Sequence, residues 1–76
     1  MSMDEQSLRK NYQEACKILG FDIRGCEERL KAYRDMDDYR ITFLDLLWKN
    51  EKASDAFLEA YRLYCLEPEK FKEIFE

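Results

Sequence analysis

The sequence predicts an all-α fold, a compact bundle of four to five short helices, and three observations carry that reading. Two Gly and one Pro are the only strong helix breakers in 76 residues. The residues that fill the rest are rich in Glu, Lys, Leu, Arg and Ala, which lose little on entering a helix. Apolar side chains recur at steps of three and four along most of the chain, the period of a helix with one buried face. A hydrophobic content of 46% argues against a disordered tail as the default reading, although 39% of the residues are charged. The length suits one domain, residues 1–76, whose core is marginal unless its helices pack efficiently or copies associate.

The first helix is expected over residues 3–19. Ser2 and Glu5 have the spacing of a capping box, and Leu8, Tyr12, Ala15, Cys16 and Leu19 form its stripe. Gly20 is placed to end it in a left-handed cap, with Phe21 folding back on the last turn. Asp22 can cap a second helix, with Ile23, Cys26, Leu30, Tyr33 and Met36 on its apolar side. A break is expected near residues 36–38, because Asp37 or Asp38 suits the start of a following helix better than the end of this one, with a continuous helix through this point as the alternative. A third helix then extends to about Lys52. Ser54 is expected to cap a fourth, with Phe57, Ala60, Tyr61 and Tyr64 inward and Leu58 and Leu63 flanking. Pro68 fits the first position of a short fifth helix, whose apolar face is Phe71, Ile74 and Phe75.

Residues 41–48 stand out. Six of these eight, Ile41, Phe43, Leu44, Leu46, Leu47 and Trp48, are large and apolar, wider than one helix stripe requires. The stretch reads as the central helix against which the other segments pack. Enclosure by those amphipathic neighbours accounts for its breadth, assigns Leu44 and Leu47 to the core, and leaves the interface to the rim.

The composition narrows function by exclusion. With no His, no side chain has an ordinary pKa near neutrality to act as a general base. Cys16, Cys26 and Cys65 lack such a partner, so their thiols are mostly protonated, and they read as core fillers. A disulfide between Cys16 and Cys26 is conceivable if the first two helices are neighbours. The carboxylates read as solvated faces and caps, without the inward acid and His pattern of a di-iron bundle, and no Gly-rich phosphate loop is present. No enzyme activity, cofactor or metal is expected. The polar, acidic start and the absence of a long apolar run point to a cytoplasmic protein with no membrane partner. A net charge of −4 disfavours nucleic acid as a partner and favours a basic protein surface.

Residues 14–33, from Glu14-Ala15-Cys16-Lys17-Ile18-Leu19-Gly20-Phe21 to Leu30-Lys31-Ala32-Tyr33, resemble a helix-turn-helix of the bacterial Fis type. Ala15, Leu19, Gly20 and Leu30 match its scaffold. The resemblance implies a small DNA-binding regulator using Arg24, Arg29 and Lys31. Gly25, Glu27 and Glu28, however, occupy positions that face bases and phosphates in that family, and acids there oppose binding. This is the alternative reading.

The leading reading rests on aromatics, 14% of the chain. Tyr39, Trp48, Tyr61 and Tyr64 flank or follow the apolar stretch, and such rings give large contact area at low entropy cost. They are expected to bind a partner in a non-catalytic protein–protein interaction module: an adaptor, an inhibitor or a regulatory subunit. A phage-type inhibitor that occupies the groove of a basic nucleic-acid-binding protein is one such form. The expected partner is another protein with a basic surface, or a second copy in a homodimer.

Overall fold

The computed structural model describes residues 4–23, 26–36 and 39–75. Among them lie five helices: α1 (Glu5–Leu19), α2 (Cys26–Met36), α3 (Tyr39–Lys49), α4 (Glu51–Leu66) and α5 (Pro68–Phe75). The Cα radius of gyration is 11.0 Å, matching the ~11 Å of a compact chain of this length.

Local chemistry explains most of the boundaries. Asp4, not Ser2, caps α1: its extended backbone lets the carboxylate accept the Ser7 N–H at 2.7 Å. Ser2 itself lies outside the described residues. Gly20 ends α1 at φ 88°, as expected. Its N–H donates to the Cys16 and Lys17 carbonyls, and the Phe21 N–H donates to the Cys16 carbonyl at 3.0 Å. These bonds satisfy the last carbonyls of the helix in a Schellman arrangement.

α2 is described from Cys26, and Arg24 and Gly25, which separate it from the expected start after Asp22, lie outside the described residues. α2 is described to Met36 and α3 from Tyr39, and the expected break, with Asp37 and Asp38, lies outside the described residues. Of the predicted α2 stripe, Leu30 is buried and Tyr33 half-buried, but Met36 faces solvent.

α3 stops at Lys49, short of Lys52, because Asn50 leaves the helix with φ −160°. The Asn50 side chain accepts the Ala53 N–H at 3.1 Å, so Asn50 caps α4 in place of Ser54. Asn and Ser are comparable caps, and starting earlier adds a turn, residues 51–54, that carries the buried Ala53. Ser54 sits inside that turn, its buried hydroxyl donating to the Glu51 carbonyl at 2.7 Å. Pro68 opens α5 as expected, and the Glu67 carbonyl accepts the Phe71 N–H at 3.0 Å.

The central helix is α4, which corrects the assignment of that role to residues 41–48. It packs most broadly on α1, then on α3, and it also meets α2 and α5. Ala53, Ser54, Ala56, Phe57, Ala60 and Leu63 are all buried, an arc of about half the helix circumference. Three of these are alanines, and short side chains let neighbouring backbones come close. Leu63, expected to flank, is fully buried, whereas Tyr61 and Tyr64 are half-buried.

α5 docks as predicted, through Phe71, Ile74 and Phe75. The Phe75 ring meets Tyr12 edge-on at 5.0 Å, and Arg9 Nη1 donates to the Ile74 carbonyl at 2.9 Å. That bond places a cation at the negative end of α5. Cys16 is a buried thiol, not half of a disulfide, while Cys65, expected in the core, is exposed. The Cys26 side chain lies outside the described set.

Candidate functional site: the outer face of α3

A helix docked on one side can bury only one face, and α3 carries more large apolar residues than one face holds. Leu46 is its one fully buried side chain, with Tyr39 and Phe43 packed against the core beside it. On the opposite side Ile41 is 71% exposed, Leu44 61% and Trp48 90%, and Leu47, on the flank next to Phe43, is 42% exposed. The core assignment of Leu44 and Leu47 is therefore corrected. Four of the seven exposed large apolar side chains among the described residues belong to this eleven-residue helix. Ile41, Leu44 and Trp48 step by three and four, so they share one line along α3. Leu47 lies beside that line.

The strip borders a hollow. Tyr39, Arg40, Phe43 and Leu44 from α3 and Leu58 from α4 line a recess of ≈ 260 Å³. Leu58 is itself 44% exposed, which extends the apolar surface across the α3–α4 seam. Tyr39 and Tyr61 make that seam, their rings stacked at 4.5 Å and 15°. The Arg40 guanidinium lies 5.7 Å from the Tyr39 ring centre, and its Nε donates to the Tyr39 hydroxyl at 3.3 Å. Burial, followed by the Cys65 thiol alongside, raises the Tyr61 pKa above the ordinary tyrosine value.

The four predicted partner-binding residues do not form one cluster. Tyr39 and Tyr61 stack on each other. Tyr64 lies one turn further along α4, its ring between the Arg34 guanidinium at 5.5 Å and Phe71 at 5.5 Å. Trp48 stands nine residues beyond Tyr39, about half a turn around α3, so it faces away from the tyrosines. The residues that join Trp48 on the surface are Ile41, Leu44 and Leu47. The breadth of the apolar run signalled them in the sequence, but burial was assigned to them instead.

The residues of the DNA-binding reading are less concentrated. Arg24 lies outside the described residues. Arg29 places its guanidinium 5.4 Å from the Phe21 ring centre, and Lys31 is exposed on the same helix as Glu27 and Glu28.

Two wider recesses lie elsewhere. One, of ≈ 530 Å³, sits at the end of α1 beside Lys17, Gly20 and Asp22, and the other, of ≈ 560 Å³, opens at Pro68 among Glu67, Glu69 and Lys70. Both mix charged and apolar groups. Among the described residues no group of three or more His, Cys, Asp or Glu is arranged to hold a metal ion, and no helix is long and apolar enough to cross a membrane. The outer face of α3 thus offers contact area and shape rather than reactive groups. Comparison with protein-family profiles, curated protein sequences and solved structures finds no match to this chain.

Proposed function

We propose that this chain is a non-catalytic protein-interaction module whose docking face is the outer side of α3. The supporting observation is the exposed strip of Ile41, Leu44, Leu47 and Trp48, continuous with Leu58 across the seam. Together these side chains expose on the order of 600 Å², the upper end of the largest apolar patch on a typical monomer. Trp is enriched at binding hot spots because its rigid ring covers much area at little entropic cost. An adaptor, an inhibitor and a regulatory subunit each use such a face. The excess acid of the chain, net −4, lies outside α3, which carries Arg40 and Lys49 against Asp45. A basic partner, such as a nucleic-acid-binding protein held by an inhibitor, would be steered by the other helices and anchored on this strip.

Affinity capture with matched baits tests the reading. The wild-type chain is expected to retain a polypeptide that the Leu44→Ser/Trp48→Ala double variant loses, with helical circular dichroism equal in the two. Identical captures by both baits, with no self-association, would remove α3 as the docking face.

A further inference from the structure

α3 and α4 run antiparallel from the Asn50 joint, and the seam between them is apolar on one side and acidic on the other. The stacked Tyr39 and Tyr61 rings and the recess shared by Leu44 and Leu58 set the register. That register brings Leu47 level with Asp55, so the exposed strip of α3 runs beside the first turns of α4. Around α4, Glu51 and Asp55 lie within about 60° of Leu58, whereas Lys52 lies about 120° away. Both carboxylates are exposed, and neither has a hydrogen bond or ion pair among the described residues. One turn beyond Leu58, Arg62 is held by two carboxylates, Glu59 at 2.6 Å and Glu67 at 3.3 Å. On α3, Asp45 is paired with Lys49, and Arg40 is engaged with Tyr39. Arg40, Lys49 and Arg62 thus stand against Asp45, Glu51, Asp55, Glu59 and Glu67, and the balance around the apolar strip is acidic.

We propose that this seam takes a basic amphipathic helix of another polypeptide, its apolar stripe on α3 and in the recess, its Lys or Arg side chains on Glu51 and Asp55. The proposal rests on α3 being the docking face and names the chemistry of what docks there. Ile41 to Trp48 spans about 10 Å, two helical turns, which matches the anchors at i, i+3 or i+4, and i+7 of an amphipathic helix. The recess of ≈ 260 Å³ has room for one large apolar side chain of that stripe. A helix laid along the seam turns its apolar residues to α3 and one flank to α4, so cations on that flank reach the two carboxylates. Ion pairs formed beside apolar contacts are less screened by water than those on an open surface. Charge separates this occupant from its rivals. A second copy would bring the same acidic balance to this face, and an acidic segment would meet Glu51 and Asp55 with like charge.

Selection from a displayed library of helical peptides, with the full chain as bait, tests this directly. The enriched peptides are expected to carry Leu, Phe or Trp at steps of three and four, with Lys or Arg along one flank. Affinity for the best of them is expected to fall about fivefold in Glu51→Gln/Asp55→Asn, and to fall with added salt. Glu69→Gln/Glu73→Gln, which removes the same charge from α5, is expected to leave that affinity within about twofold. Helical circular dichroism should be equal in all three chains. Enriched peptides that are neutral or acidic, or an affinity that falls equally in both double variants, overturn the basic occupant. A second copy as occupant would show as a mass doubling from 9.3 kDa in wild type and not in Leu44→Ser/Trp48→Ala, and overturns it too. If Leu44→Ser/Trp48→Ala still loses the enriched peptides in these cases, the docking face stands without its basic partner. If nothing enriched depends on Leu44 and Trp48, both readings fail.

Discussion

α3 and α4 are adjacent helices separated by one residue, and they divide the work in an order opposite to their hydrophobicity. α3 has the larger apolar side chains and buries one of them fully. α4 buries six residues, three of them alanines, and touches all four other helices. The difference shows that position in a small bundle follows from shape as much as from apolar content. A helix lined by small side chains admits neighbours on several sides, whereas a helix bristling with Leu, Ile and Trp holds them at a distance and ends at the edge. The apolar surface left on the edge helix is then available for recognition.

The contrast can be broken by substitution. Phe57→Ala on α4 empties a fully buried site touched edge-on by Tyr33, and chemical denaturation is expected to show a loss of about 3–5 kcal/mol. Ala60→Leu is expected to lose about 1–3 kcal/mol by overpacking the centre of α4. A gain in stability there would mean that α4 has room to spare. At the joint, Asn50→Ala removes the cap that ends α3 and starts α4, with an expected loss of about 1 kcal/mol. On the edge helix Leu44→Ala is expected to stay within about 0.5 kcal/mol in dilute solution. A loss of 2 kcal/mol or more would return Leu44 to the core and erase the distinction between the helices.

The seam between the two helices has a smaller, pH-dependent signature. The folded state raises the Tyr61 pKa above 10.0, chiefly by burial, so it binds the phenolic proton more tightly than the unfolded chain. The associated stability is fully present below pH 10 and is lost as pH rises through the folded-state pKa. Tyrosinate absorbance of wild type against Tyr61→Phe should place the missing titration above that of an ordinary tyrosine. A Tyr61 titration at or below 10 would mean the Tyr39–Tyr61 stack is open to water.

Helix period, Gly20 and Pro68 made the all-α class, a bundle of four to five helices and some of the helix ends legible in the amino-acid sequence. These features act within one or two turns, so neighbours along the chain suffice to reveal them. Caps were less certain where two good candidates stood close together. Asn50 displaced Ser54 because the extra turn buries Ala53, a gain visible only once α4 is packed among its neighbours. For the site, the sequence marked Trp48 and the unusual breadth of residues 41–48. It did not show that Tyr61 and Tyr64 would be occupied by Tyr39, Arg34 and Phe71, or that Leu44 would face outward.

The sequence by itself determined that this chain is helical, where α1 ends and α5 begins, and that one stretch carries more apolar surface than a single contact consumes. Only the tertiary structure decided which helix occupies the centre. Periodicity records that a face is apolar, but burial depends on how many neighbours can reach it. The alanines of α4 let four helices gather there, and the outer side of α3 was left facing solvent.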